Sequence, residues 1–362
     1  MASLFDPLQL GAIALPNRIM MAPLTRARSK PDAVPNALMA AYYAQRASAG
    51  LIISEATGIS REGLGWPDAP GLWNDAQVEG WKLVTSGVHR AGGRIVAQLW
   101  HMGRLVHPDL GGGVPVSASA TTAPDFAHTY EGRKLYAEAR AATRDDIRRI
   151  IGDYARAAHN AIAAGFDGVQ VHGANGYLID QFLRDSANLR DDDYGGSIEN
   201  RIRFASEVLE AVGDAIGMER VGIRFSPNIH SQGVEDSDPL ALFTALAHRL
   251  EELKVPWIEL REASKPTSAG AIPTEHVSPA MRPIFSGVIA LNSDYDGPGA
   301  HARMAEGIAD AISFGRPFIP NPDLVERLRA GAPLSEGDQD TFYSGGPSGY
   351  VDYPTFDEAR AA

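Results

Sequence analysis

Three side chains within six positions have the right types for acid–base work on an oxygen-bearing substrate. They stand in His172-Gly173-Ala174-Asn175-Gly176-Tyr177, which continues as Leu178-Ile179-Asp180-Gln181-Phe182-Leu183. The imidazole and the amide can both donate hydrogen bonds, and the phenol carries a proton. Two donors and one proton source suit a site that grips a carbonyl oxygen and protonates a nearby carbon. The same residues could instead build a structural loop, with His172 and Asn175 satisfying backbone groups.

The elements that must position these side chains can be read around them. Gly168-Val169-Gln170-Val171 is a short, Val-rich apolar run that predicts a buried strand, so His172 falls where a strand ends and a loop begins. Similar runs occupy 18–22, 51–56, 94–100, 220–225, 257–260, 287–291 and 311–314. Helices are expected at 36–49, 81–91, 143–164 (with Thr143 as cap), 200–216, 239–253 and 300–307. Asn321-Pro322-Asp323-Leu324 reads as the cap and first turn of a last helix. Strand and helix alternate through eight units, which predicts an α/β TIM (β/α)8 barrel whose functional groups collect at the C-terminal strand ends. Residues 101–142, rich in Gly, Pro, Ser and Thr, break the alternation and read as a lid-like insertion after strand three. No linker divides the chain, so residues 1–362 are expected to form a single domain.

Composition narrows the function classes. Lys plus Arg number 33 and Asp plus Glu 45, a net charge of −12 that argues against nucleic acid or an anionic membrane as partner. No run approaches the roughly 18 apolar residues of a membrane span. The segment Met1-Ala2-Ser3-Leu4-Phe5-Asp6 lacks the basic and apolar regions of a secretory signal, so a soluble cytoplasmic protein is expected. The chain has no cysteine, which excludes disulfides, thiolate nucleophiles and Cys-held iron–sulfur clusters.

The polar residues at the C-terminal strand ends are Thr25, Gln98, His172, Asn175 and Arg224, with Trp66, Trp100 and Tyr177 near them. Gln98 can donate and accept, and so can read an amide or pyrimidine edge. Arg224 is a permanent cation ending a buried strand and needs an anion: a ligand, or a carboxylate such as Glu259 or Glu262. Gly315 and Arg316 after strand eight, with Ser293 and Asp294 after strand seven, stand where many barrels hold a phosphate. No Gly-x-Gly-x-x-Gly or Walker loop is present, and no His-x-His or His-Glu-x-x-His metal motif. His101, His107, His159 and His248 have no ligand spacing.

Taken together these residues resemble the old yellow enzyme family of FMN-dependent ene-reductases, over essentially the whole chain. The resemblance is carried by Asn17-Arg18-Ile19-Met20-Met21-Ala22-Pro23-Leu24-Thr25-Arg26, Gln98-Leu99-Trp100-His101 and the 172–183 stretch. It continues in Asp193-Tyr194-Gly195-Gly196-Ser197-Ile198-Glu199-Asn200-Arg201, Phe314-Gly315-Arg316-Pro317-Phe318-Ile319 and Asn321-Pro322-Asp323-Leu324. It implies FMN across the top of the barrel, with Pro23, Leu24, Thr25 and Ala56 along the flavin and Gln98 on its pyrimidine ring. It further implies that Arg224 stabilises the charge of reduced flavin, and that Ser293, Asp294, Gly315 and Arg316 hold the phosphate. His172 and Asn175 would grip the substrate oxygen, Tyr177 would protonate the α-carbon, and Trp66, Trp100 and Tyr343 would shape the pocket. The implied reaction takes a hydride from NADPH or NADH onto flavin N5 and passes it to the β-carbon of an electron-poor alkene: an enone, enal, maleimide or nitroalkene. Nitrate esters and nitro compounds are further implied substrates, and a monomer or homodimer the implied assembly.

The chain departs from the family pattern at several points. Asn175 stands where many members have a second histidine, although a His/Asn pair also occurs. The loop after strand seven, Leu291-Asn292-Ser293-Asp294-Tyr295-Asp296-Gly297, lacks the usual glycine. Thr25 stands where the thermophile-like branch has cysteine, which places the chain in the more typical branch. Three other readings compete with this one. A two-domain dienoyl reductase with an iron–sulfur cluster is excluded by the missing cysteines and the length. A flavin-binding sensor or storage protein would need neither a proton donor nor an oxygen-gripping pair. A metal-dependent hydrolase would need clustered ligands.

Overall fold

The computed structural model describes residues 2–265, 273–293, 295–343 and 345–361. Eight parallel strands close into a barrel: β1 (Ile19–Met21), β2 (Leu51–Gly58), β3 (Ile95–Trp100), β4 (Gly168–His172), β5 (Val221–Phe225), β6 (Trp257–Arg261), β7 (Val288–Asn292) and β8 (Ala311–Phe314). They pair in chain order, and β8 closes on β1 with Phe314 opposite Met21. This is the TIM-barrel architecture that the eight alternating units predict.

The two-residue period of a strand sorts side chains between the barrel interior and the helical shell. Met20, Leu51, Ile53, Val96, Trp257, Ala290 and Ala311 form an apolar lower layer with Leu10, Ile13 and Leu15. Those last three come from an antiparallel hairpin, Leu8–Leu10 with Ile13–Leu15, that plugs the barrel at its N-terminal end. The alternate residues, such as Val171, Ile223 and Ile258, join one large core with Trp81, Tyr154, Phe204 and Leu246. Those four sit on shell helices: α2 (Asp75–Arg90) after α1 (Ala37–Ala44), then α3 (Arg144–Ala163), α5 (Arg203–Ile216) and α6 (Pro239–Glu252), with the short α4 (Leu178–Leu183) between α3 and α5. Two more helices, α7 (Gly297–Ala305) and α8 (Leu324–Ala330), complete the ring.

Helix ends depart from the sequence expectation for local reasons. Thr143 caps α3 as expected, in a reciprocal capping box with Asp146. Helix α2 starts six residues before Trp81, because Asn74 accepts from the Gln77 N–H and opens an extra turn. Asn321 does not cap the last helix. Its side chain bonds Pro317 O and the Ser335 N–H, and α8 begins after Pro322. The sixth unit has one described helical turn, Ser278–Met281, where a full helix completes the expected pattern.

The insertion after β3 folds as a hairpin, Phe126–Thr129 with Gly132–Leu135, on a pair of short parallel strands, Val116–Ser117 and Arg140–Ala141. Among the described residues no helix is long and apolar enough to cross a membrane.

Candidate active site

The loop after β4 is built by backbone bonds that explain the unusual motif. His172 ends β4 opposite Arg224 on β5, and the Gly173 N–H donates to Arg224 O at 2.9 Å. Asn175 then takes a left-handed conformation, φ +60°, which Asn tolerates better than most residues. Its N–H donates to Ser226 Oγ at 2.8 Å. Gly176 has φ +76°, and a Cβ there would lie 2.6 Å from Ser231 O, so a side chain is excluded. The next residues of the motif lock the loop. Asp180 Oδ2 accepts from the Gly176 N–H at 2.9 Å, and Gln181 Nε2 donates to Gly176 O at 2.7 Å. Gln181 also accepts from Ser117 Oγ at 2.9 Å, which ties the loop to the insertion.

That backbone sets the chemistry of the three side chains. His172 Nδ1 accepts from the Ala174 N–H at 3.3 Å, so the proton of the neutral ring sits on Nε2. Burial first, and then the charges of Arg224 and Arg261, hold the His172 imidazolium well below the usual histidine range. His172 is therefore a neutral donor. Tyr177 stands edge-on to His172 at 4.8 Å and to Trp100 at 5.0 Å between ring centroids. Burial pushes its phenol up, so it keeps its proton at neutral pH. Asn175 Oδ1 accepts from Arg261 Nη1 at 2.8 Å.

A cavity of about 950 Å³ opens at the C-terminal strand ends. It brings together Pro23, Leu24, Thr25, Trp66, Asn175, Tyr177, Arg224, Ser293, Gly315, Arg316 and Tyr343, all singled out in the sequence. Asp294 lies outside the described residues. Ala56, Gln98, His172 and Trp100 are buried and are not among the residues that line it. Trp100 is buried with its ring edge-on against Tyr177.

Beneath the cavity runs a buried polar layer. Gln98 Nε2 donates to Gln170 Oε1 at 2.7 Å, and Gln170 Nε2 donates to Glu259 Oε2 at 2.8 Å. Glu259 Oε2 lies 3.3 Å from Arg224 Nε, and Arg224 Nη2 donates to Asn292 Oδ1 at 2.7 Å. The carboxylate that answers Arg224 is thus Glu259. Glu262 instead accepts the Val277 and Ser278 N–H groups.

The loop carrying Thr25 is anchored from below. Glu55 Oε2 accepts from the Arg26 and Ala27 N–H groups at 3.1 and 3.0 Å. Arg26 reaches onward to Phe342 O at 2.8 Å and fixes the C-terminal segment that bears Tyr343. Trp66 completes the roof, 5.6 Å from Tyr343 and 4.5 Å from His128 of the insertion hairpin.

Residues 3–335 match the profile of the NADH:flavin oxidoreductase / NADH oxidase family. The chain belongs to the old yellow enzyme family. A solved old yellow enzyme homologue from Zymomonas mobilis superposes with TM-score 0.96 at 53% identity, covering 98% of this chain and 100% of that one. Morphinone reductase in complex with tetrahydroNAD superposes with TM-score 0.93 at 46% identity, covering 99% of each chain. The 12-oxophytodienoate reductase 1 of Oryza sativa subsp. japonica is 40% identical over 368 residues, covering 98% of this chain and 93% of its own.

The cavity of this old yellow enzyme fits an FMN. Arg224, only 5% exposed, reaches the wall as a cation. Gly315 leaves open space beside Arg316: a Cβ there would meet only Leu24 Cδ2 at 3.4 Å and Ala22 Cβ at 3.9 Å. Sequence reasoning missed Arg261 and Asn292, which line the same cavity. The rule that found Gln98 and Arg224, a polar residue ending a buried strand, would have found both. It missed Gln232, Tyr295 and Phe342 as well, which lie on loops without such a signal.

Proposed function

We propose that this old yellow enzyme reduces carbon–carbon double bonds conjugated to a carbonyl or nitro group, with FMN as cofactor and NADPH or NADH as electron source. The observation that carries the reading is one amide and one protonated phenol lining a single cavity, with a neutral imidazole donor edge-on to the phenol at 4.8 Å between ring centroids. Pro23, Leu24, Thr25 and Ala56 would hold the flavin ring, Gln98 its pyrimidine edge, and Arg224 the negative charge there. Ser293, Gly315 and Arg316 would hold the phosphate. When bound, FMN supplies a hydride.

The rest of the chemistry belongs to the protein. His172 Nε2–H and the Asn175 amide donate to the substrate oxygen and draw electron density onto it. Fixed donors of this kind contribute about 10²–10³ each in rate, because they need no reorganisation as charge develops. The β-carbon is left electron-poor, and Tyr177 gives its proton to the α-carbon. His172 is neutral, so it polarises the oxygen without protonating it. The nitro group offers the same donors an acceptor oxygen. The names of two relatives, a 12-oxophytodienoate reductase and a morphinone reductase, support oxo-bearing substrates, and the tetrahydroNAD complex of the latter supports a nicotinamide nucleotide as reductant.

An anaerobic absorbance titration tests the reading. Added NADPH should bleach the flavin spectrum, and 2-cyclohexenone should restore it. A protein that takes up no FMN would overturn the cofactor assignment. A flavin that bleaches but is not reoxidised by the enone would overturn the substrate assignment.

A further inference from the structure

An asparagine is an ambiguous oxygen-gripping group. Rotation of its amide by half a turn replaces the NH2 donor with an acceptor oxygen, and that face would repel a carbonyl or nitro oxygen. The structure contains a device that removes the ambiguity. Arg261 is the last residue of β6, two positions beyond Glu259, so it sits one layer above the buried polar layer, at the mouth of the barrel. From there it reaches the loop after β4 and donates from Nη1 to Asn175 Oδ1 at 2.8 Å. A guanidinium has donors only, so the atom facing it must be the amide oxygen, and the NH2 group is turned away from it. Both residues line the cavity. The backbone cannot set the amide in this way: the Asn175 N–H is engaged by Ser226 Oγ, and the left-handed φ of +60° fixes only where the side chain starts.

We propose that Arg261 is a positioning residue that holds the Asn175 amide with its NH2 group available to the ligand, and so makes the site selective for acceptor oxygens. This rests on Asn175 acting as an oxygen-gripping donor. The bond is charge-assisted, which makes it stronger than a neutral amide contact and polarises the amide N–H groups further. Arg261 thus does for the Asn175 amide what the Ala174 N–H does for the His172 ring: it occupies the acceptor atom and leaves the donor free.

The test is a double-mutant cycle on the FMN-loaded enzyme, with 4-chlorophenol as the probe and its charge-transfer band with the flavin as the readout. Arg261→Met should raise the phenol Kd about tenfold, equivalent to about 1.4 kcal/mol. Arg261→Lys, which keeps a donor without the planar fork, should recover part of that loss. In an Asn175→Ala background Arg261→Met should add nothing, since there is no amide left to orient. An unchanged Kd in Arg261→Met, beside a raised Kd in Asn175→Ala, would overturn the positioning role while leaving Asn175 as a gripping residue. A loss that persists in the Asn175→Ala background would also overturn it, because Arg261 would then touch the ligand itself. An unchanged Kd in Asn175→Ala would overturn the reading beneath both. Should the Met variant fail to hold FMN, Arg261→Lys alone carries the cycle, with a smaller loss that must vanish in the Asn175→Ala background.

Discussion

At the scale of single residues the site divides its labour by protonation state. His172 is kept neutral by burial and by two nearby guanidinium groups, and its Nδ1 is occupied, so it acts as a fixed donor. Tyr177 is kept protonated by burial and is the one acid of the three. Tyr177→Phe should therefore leave flavin reduction by NADPH near the parent rate and slow alkene reduction about a hundredfold. Stopped-flow measurement of the two half-reactions separates these effects. The same experiment should show no histidine-type inflection between about pH 6 and 8, because the ring does not titrate there. If flavin reduction fell along with alkene reduction, Tyr177 would have some role other than proton delivery.

At the scale of elements, short strand ends hold the reactive loops by buried hydrogen bonds. Glu55, fully buried on β2, accepts two backbone N–H groups of the loop that carries Thr25. Burial pushes its carboxyl up, so its value here lies in its acceptor oxygens as much as in its charge. Glu55→Leu leaves two buried donors unpaired, at a cost of about 2 kcal/mol or more. It should lower the melting temperature and weaken FMN retention together. Glu55→Gln keeps an acceptor oxygen and should lie close to the parent in both. Equal losses in the two variants, read by thermal melts and by FMN release on dilution, would show that charge rather than bonding anchors the loop.

At the scale of the whole molecule, the barrel interior is stacked in chemical layers. Trp257 lies in the apolar plug, Glu259 in the polar network and Arg261 at the mouth, each two residues apart on one strand. The large Trp257 ring is accommodated because its neighbour on β5 is Gly222. A Cβ on Gly222 would come 2.0 Å from the indole. Gly222→Ala should destabilise the fold by about 3 kcal/mol, the upper range for an overpacked core. Adding Trp257→Phe should recover part of this in denaturant titrations. A Gly222→Ala protein as stable as the parent would mean that the interior can repack freely.

The sequence by itself determined the barrel and the order of its strands, and it singled out about half of the residues that line the cavity. Buried parallel strands read as near-continuous apolar runs, so a polar residue at the C-terminal end of one stands out as a candidate for the site. The types and spacing in its 172–177 motif, at the end of a strand, also marked His172, Asn175 and Tyr177 as candidates. Only the tertiary structure decided which of two carboxylates answers Arg224, that Trp100 packs edge-on against Tyr177, and that Arg261 faces the Asn175 oxygen. Those pairings join residues 35 to 86 positions apart or depend on the register of adjacent strands, and local pattern carries no record of such cross-strand contacts.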